Sequence, residues 1–244
     1  GKLRPVENPI GLEKSEGWWN SISSGDFDND GDMDYVLGNL GLNTKYKASK
    51  DEPLCIYAKD YDKDGKIDPI MCYYNDGENY ISHTRDKLIE QINAMRGRFQ
   101  TYQSYAEKNF KESFLPEELE DAYVVKSHLF ESSYMENLGN GKFRLTALPL
   151  SAQVAPTEGI VVEDFDQDGN LDLLLTGNSY VTEVSNGRYD AQLGTLLKGN
   201  GDGTFAYLEL AESGFVNNYD SSGLAQLKNK NGMSLIIIGN NSGP

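Results

Sequence analysis

Asp164-Phe165-Asp166-Gln167-Asp168-Gly169-Asn170-Leu171-Asp172 is the stretch on which the reading of this chain turns. It recurs as Asp26-Phe27-Asp28-Asn29-Asp30-Gly31-Asp32-Met33-Asp34 and as Asp60-Tyr61-Asp62-Lys63-Asp64-Gly65-Lys66-Ile67-Asp68. All three copies have the form D-aromatic-D-x-D-G-x-x-D. Carboxylates at loop positions 1, 3 and 5 converge when the chain turns sharply at position 6, and glycine stands there because it accepts the backbone angles of such a turn. Hard oxygens gathered in this way suit Ca²⁺, which takes about six to eight of them in a flexible shell. Carboxylates so close together repel one another when no cation screens them. The expected ligands are Asp26, Asp28 and Asp30, Asp60, Asp62 and Asp64, and Asp164, Asp166 and Asp168, with Asp34, Asp68 and Asp172 closing each cage from position 9. Asp32, Lys66 and Asn170, at position 7, complete the candidate metal set, for up to three Ca²⁺ ions.

The same spacing begins an EF-hand, which also requires a bidentate Glu at position 12 and a helix on either side. Position 12 is Leu37, Met71 or Leu175 here. After each loop comes a short apolar run: Tyr35-Val36-Leu37-Gly38, Pro69-Ile70-Met71-Cys72-Tyr73-Tyr74, or Leu173-Leu174-Leu175-Thr176-Gly177. Runs of this length, ended by Gly or Asn, read as buried strands. Each loop is therefore expected between two strands.

The chain has 244 residues, enough for one large core or two small ones. Its formal charge is −16, and the loops hold five, four and four of the 38 acidic residues, thirteen together. Three bound Ca²⁺ would leave about −10. That balance argues against nucleic acid, whose phosphates require a basic surface. No run approaches the ~18 apolar residues of a membrane span. The start, Gly1-Lys2-Leu3-Arg4-Pro5, leads into polar sequence and reads as a mature or trimmed end without a signal peptide. Cys55 and Cys72 flank the second loop and come almost opposite each other if its strands pair around a centre near Asp64. A cross-strand disulfide and two buried free thiols are both open, with free thiols the favoured reading. Open calcium loops work at ~10⁻⁴–10⁻³ M, the extracellular range.

A second recurring element is a polar hairpin. Glu136-Asn137-Leu138-Gly139-Asn140-Gly141-Lys142-Phe143 is echoed by Lys198-Gly199-Asn200-Gly201-Asp202-Gly203-Thr204-Phe205. Asn-Gly and Asp-Gly pairs between apolar runs mark tight turns. The repeat is thus loop, strand, connection and hairpin, about four strands per ~60 residues. A fourth copy has lost its ligands: aligning Gly239-Asn240 on Gly177-Asn178 puts Gln226, Lys228, Lys230 and Ser234 at positions 1, 3, 5 and 9. The strand Leu235-Ile236-Ile237-Ile238 persists in it.

These loops and hairpins resemble FG-GAP/VCBS repeats, the blades of integrin-α-like β-propellers. Gly17-Trp18-Trp19-Asn20, Gly38-Asn39-Leu40-Gly41-Leu42-Asn43, Leu148-Pro149 with Ala152-Gln153, and Gly187-Arg188-Tyr189-Asp190-Ala191 are similar to bacterial, Bacteroidetes-type VCBS proteins grouped with the cartilage-acidic-protein-like (ASPIC/UnbV-associated) family. The resemblance covers nearly the whole chain. It implies an all-β fold of β-propeller-like blades, each a four-stranded antiparallel sheet, in a single domain over residues 1–244. Four repeats are too few for the seven or eight blades usual in such rings, which implies an open or partial propeller. It also implies a secreted, periplasmic or outer-surface location, and as partners a protein or glycan ligand and other domains of a larger parent protein.

Residues about 84–128 interrupt the repeat. Leu88, Ile89, Ile92 and Met95 follow helical spacing behind Thr84 as cap, and Pro116-Glu117-Glu118-Leu119 reads as a first helical turn. The helical insertion carries the basic residues Arg85, Lys87, Arg96 and Arg98, read as a solvated face of a packed cap rather than a docking surface for an anionic partner. Trp18 and Trp19 read as packing residues, and His83 and His128 as structural. No nucleophile–base motif, zincin helix or phosphate loop is present, so the chain reads as a binding or scaffolding module without catalysis. The alternative is a polysaccharide-lyase-like carbohydrate-active enzyme or its accessory domain. That reading requires Tyr102, Tyr105, Arg188, Tyr189 and His83 to gather in one pocket.

Overall fold

The computed structural model describes residues 10–184, 186–231 and 233–242, and the start Gly1-Lys2-Leu3-Arg4-Pro5 lies outside them. In chain order come β1 (Ser21–Gly25), β2 (Asp34–Gly38), β3 (Leu54–Lys59), β4 (Asp68–Asn75) and β5 (Glu78–Ile81). Five short helices follow: α1 (Arg85–Gln91), α2 (Met95–Arg98), α3 (Tyr102–Ala106), α4 (Phe110–Ser113) and α5 (Pro116–Leu119). Next are β6 (Tyr123–Ser127), β7 (Ser133–Asn137), β8 (Phe143–Ala147), β9 (Thr157–Glu163) and β10 (Asp172–Gly177). The described chain ends with β11 (Thr195–Gly199), β12 (Phe205–Leu208), α6 (Leu210–Ser213), β13 (Asp220–Lys228) and β14 (Ser234–Ser242). The protein is mostly β, in blade-like antiparallel sheets. Among the described residues no helix is long and apolar enough to cross a membrane.

Every Asp-rich loop joins two antiparallel strands, as its apolar flanks predict: β1 to β2, β3 to β4, and β9 to β10. The hairpins form as well, pairing Asn137 with Phe143 and Gly199 with Phe205. The grouping of strands differs from a simple row of repeats. The chain divides into two compact units, one built from Trp18–Lys45 and the chain from Phe130 onward, the other from Tyr46–Leu129 with Lys14–Gly17.

In the first unit the sheets run β1-β2-β7-β8 and β12-β11-β10-β9, each four-stranded, beside a two-stranded β13-β14 pair. The hairpin at 136–143 therefore completes the sheet of the first loop, with Tyr46–Leu129 of the second unit inserted in the sequence between β2 and β7. Local sequence signals mark strands and turns, but an insertion of this length leaves their pairing partners unspecified. Strands β1 and β13 lie on either side of β9, and small residues let them approach. A Cβ on Gly38 would stand 2.3 Å from Thr157 O, and one on Gly159 would stand 2.6 Å from Leu224 N. Ser21 Oγ and Ser23 Oγ donate to Thr157 O and Ile160 O across the first contact.

The run Leu173-Leu174-Leu175 is apolar throughout because β10 is buried on both faces. Leu173, Leu175 and Leu197 join Phe27, Val36 and Tyr134 in one core, while Leu174, Leu196 and Val161 face Leu224 and Ile236 in another. At ~25 cal/mol per Å² of apolar surface, this two-sided burial is what holds the middle sheet.

The second unit has the sheet β5-β4-β3-β6, with the helices inserted between β5 and β6. Thr84 caps α1 by accepting from Lys87 N, and Pro116 opens α5, as expected from the sequence. Leu88, Ile89, Ile92, Met95, Phe99, Phe110 and Phe114 pack on Cys55, Ile70, Cys72 and Ile81 of the sheet. Cys55 and Cys72 are direct register partners and form a disulfide, with Cα atoms 5.0 Å apart. The favoured reading of free thiols is thereby corrected, since antiparallel pairing brings the two Cβ atoms within bridging reach.

Candidate metal centre

The three loops share one backbone. Position 4 is left-handed in each, at Asn29 (φ 59°), Lys63 (φ 62°) and Gln167 (φ 63°), and Gly31, Gly65 and Gly169 at position 6 have φ of 92°, 90° and 93°. Their hydrogen bonds repeat too. The position-1 carboxylate accepts from the position-6 amide: Gly31 N to Asp26 at 3.1 Å, Gly65 N to Asp60 at 2.9 Å, and Gly169 N to Asp164 at 3.0 Å. The position-9 carboxylate accepts from the amide of the position-2 aromatic, at Phe27, Tyr61 and Phe165. That aromatic anchors the loop. Phe27 stacks edge-on with Tyr134 and Phe205, and Tyr61 lies 5.5 Å from Phe114.

Carboxylate oxygens of positions 1, 3 and 9 converge in every loop. Those of Asp26, Asp28 and Asp34 all lie within 4.8 Å of one another, as do those of Asp60, Asp62 and Asp68 and of Asp164, Asp166 and Asp172. The position-5 carboxylates differ from expectation. Asp30, Asp64 and Asp168 each accept from the backbone amide of position 7, at Asp32, Lys66 and Asn170, and stand outside the triads. An Asx turn competes locally for these short side chains.

Position 9 is the buried floor of each site: Asp34 is 0%, Asp68 5% and Asp172 2% exposed. In the first unit its second oxygen is held from the neighbouring hairpin strand. Asn137 N donates to Asp34 Oδ1 at 2.8 Å, and Gly199 N donates to Asp172 Oδ1 at 2.9 Å. The Tyr134 hydroxyl also donates to Asp34, at 2.7 Å. These anchors are not in the sequence-derived set, although the hairpin repeat aligns Asn137 with Gly199 and would have pointed to both.

By the protein's own groups alone, Asp28, Asp68 and Asp172 have pKa values raised above the ordinary carboxylate range, chiefly by burial and further by neighbouring aspartates. A bound cation would lower them, as the Lys198 ammonium already lowers Asp168 at position 5 of loop 3. One further atom marks the first loop. In loops 2 and 3 the Oδ1 of Asp60 and Asp164 accepts from the position-5 amide, whereas the buried Asp26 Oδ1 has no hydrogen-bond partner among the described residues. A buried carboxylate oxygen without a donor is costly and fits a cation ligand. The donors are all hard oxygens, the set preferred by Ca²⁺, Mg²⁺ and Mn²⁺.

The fourth copy confirms the contrast. Gln226 and Lys228 stand on β13 itself and Ser234 opens β14, so the strands run into the positions that the loop occupies in the other copies. Gln226 Nε2 still reaches Ser234 Oγ at 3.1 Å, and Lys228 pairs with Glu163 at 2.7 Å.

The residues of the lyase-like alternative are bound into the scaffold. Tyr105 OH donates to His83 O at 2.6 Å and lines a cavity of about 380 Å³ with Tyr73 and Tyr80. Tyr102 OH donates to Asp86. In the other unit, Tyr189 OH lies 3.0 Å from Thr44 Oγ1 and Arg188 covers the Tyr180 ring. The five residues are thus divided, His83, Tyr102 and Tyr105 in one unit and Arg188 and Tyr189 in the other. Three of the four basic residues of the insertion are likewise occupied: Arg85 bonds Phe99 O and Asp86, Lys87 pairs with Glu90, and Arg98 pairs with Glu118. Trp18 is half-buried, edge-on to Phe130 at 5.3 Å. No family model and no curated protein matches the chain.

Proposed function

We propose that this chain is a calcium-binding module built from FG-GAP/VCBS-type β-propeller blades, which binds a protein or glycan outside the cytosol and has no catalysis of its own. The observation that carries this reading is the threefold recurrence of one loop, with the same left-handed residues and the same converging carboxylates. Asp26, Asp28 and Asp34, Asp60, Asp62 and Asp68, and Asp164, Asp166 and Asp172 would hold the ions. Bound Ca²⁺ supplies positive charge that relieves the repulsion of each triad and makes the loop rigid. The packing of β1 and β13 beside β9 supports the blade reading, and the disulfide supports an oxidising compartment.

The test is thermal unfolding in excess EDTA, then with Ca²⁺ or Mg²⁺ restored, alongside elemental analysis. A ligand at 100 times its Kd stabilises by roughly 2.7 kcal/mol per site, so the midpoint should rise clearly and more with Ca²⁺ than with Mg²⁺. No rise, in protein that elemental analysis finds free of metal before and after Ca²⁺ addition, would refute the reading.

A further inference from the structure

Loop 3 differs from loop 1 in what the adjoining hairpin strand presents to it. On β11, Lys198 Nζ pairs with Asp166 Oδ2 and lies 2.9 Å from Asp168 Oδ2. On β7 the matching position, one residue before the strand's last, is Glu136, whose carboxylate is taken by Arg144 at 2.7 Å. One hairpin thus offers its loop a cation and the other an anion. Lys198 is not a stray surface contact. Its ammonium reaches a carboxylate of the converging triad and the carboxylate beside it, and its side chain is only 34% exposed.

We infer that Lys198 is a built-in counter-ion of loop 3: its ammonium neutralises the aspartates when no divalent ion is bound, and it must be displaced for one to enter. The inference rests on the proposed metal reading and makes the three sites unequal. Loop 1, with five aspartates and no lysine among the described residues paired with its triad, fills first and is the structural site. Loop 3 fills last, so its occupancy follows the ambient divalent concentration. In loop 2 the only loop lysine with a resolved pairing is Lys66, which meets Asp64 at 3.3 Å and touches no triad member. It should be intermediate.

The test is calorimetric titration of Ca²⁺ into the EDTA-stripped protein, for the native chain and for Lys198→Met, Lys198→Arg and Lys126→Met. Lys126→Met removes the same charge from an exposed strand position remote in sequence from every loop. Lys198→Met should tighten the weakest site by about tenfold, the low end of what one unit charge at this range does to a neighbouring charged group, because the pair is partly solvated. Its melting midpoint in excess EDTA should fall, since loop 3 loses its counter-ion. Lys198→Arg should keep the weak site and the native midpoint, and Lys126→Met should leave all three affinities as they are. Equal Ca²⁺ affinity in native protein and Lys198→Met overturns the inference while leaving the metal reading intact. Equal tightening by Lys198→Arg also overturns it, because charge would then not be the cause. A native protein that binds no Ca²⁺ removes both.

Discussion

Asp34 shows how one buried carboxylate is made tolerable. It is fully inaccessible to solvent and accepts from Phe27 N, Asn137 N and the Tyr134 hydroxyl, three donors that compensate its desolvation. The same contact holds the tyrosine: burial first, and then the Asp34 carboxylate, push the Tyr134 pKa well above its usual value, so the hydroxyl remains a donor at any physiological pH. Tyr134→Phe keeps the ring in its edge-on packing with Phe27 and Phe205 but removes that donor. A hydrogen bond to a charged group contributes about 1.5–3 kcal/mol, so the EDTA-treated variant should lose about 2 kcal/mol in urea unfolding. Saturating Ca²⁺ should recover part of that loss by taking over the charge. A variant as stable as the native protein in EDTA would mean that the two amides suffice. The converging triads were legible in the sequence because the three carboxylates of each lie within nine consecutive residues, although the expected position-5 and position-7 groups stand outside them. Tyr134 was not, since it comes from 100 residues downstream and only the folded sheet brings it to Asp34.

At the level of elements, legibility followed locality in the same way. Strands flanking the loops, hairpins at Asn-Gly turns and the capped start of α1 are all local signals, and each forms where its residues predict. The nesting of β3–β6 between β2 and β7 depends on pairing across some hundred residues, which no local pattern encodes. The cysteines fall between these cases. Antiparallel pairing about the second loop places Cys55 opposite Cys72, and that register could be counted from the sequence, but the bond itself could not. This disulfide closes the β3–β4 hairpin around loop 2 over a separation of 17 residues and lies in the core beneath the helices. A closed loop of about 15 residues removes unfolded-chain entropy equivalent to ~3 kcal/mol. Changing both residues to alanine should therefore lower the stability of the second unit by about that amount or somewhat more, since two buried side chains shrink as well. Hydrogen exchange resolved to β3–β6 should detect it, with the strands of the first unit unaffected. Unchanged protection in β3 and β4 would show that helix packing alone determines the stability of that unit.

In the whole first unit, the two Asp-rich loops are joined through the hairpin of the middle sheet. Asn29 Nδ2, at position 4 of loop 1, donates to Asn170 Oδ1 at position 7 of loop 3 at 3.1 Å and to Gly201 O at 3.3 Å. Gly203 N donates to Phe27 O at 3.1 Å, and Phe205 completes the aromatic cluster under loop 1. A Cβ on Gly201 would displace both partners of this contact, since it would meet Asn170 Oδ1 at 2.2 Å and Asn29 Nδ2 at 2.7 Å. Ordering either loop therefore orders a shared set of turns, and the entropic cost is met by whichever ion binds first. Ca²⁺ binding at loops 1 and 3 should then be coupled. Coupling free energies between sites are typically 1–3 kcal/mol, and an exposed amide contact belongs at the low end, about fivefold in affinity. Asp26→Asn, which removes a proposed ligand of loop 1, should weaken the last-filling Ca²⁺ site by about that factor besides lowering the stoichiometry. In an Asn29→Ala background the same substitution should lower the stoichiometry alone. If Asp26→Asn leaves the remaining Kd values unchanged in the native background, the contact joins the loops mechanically and transmits no binding energy between them.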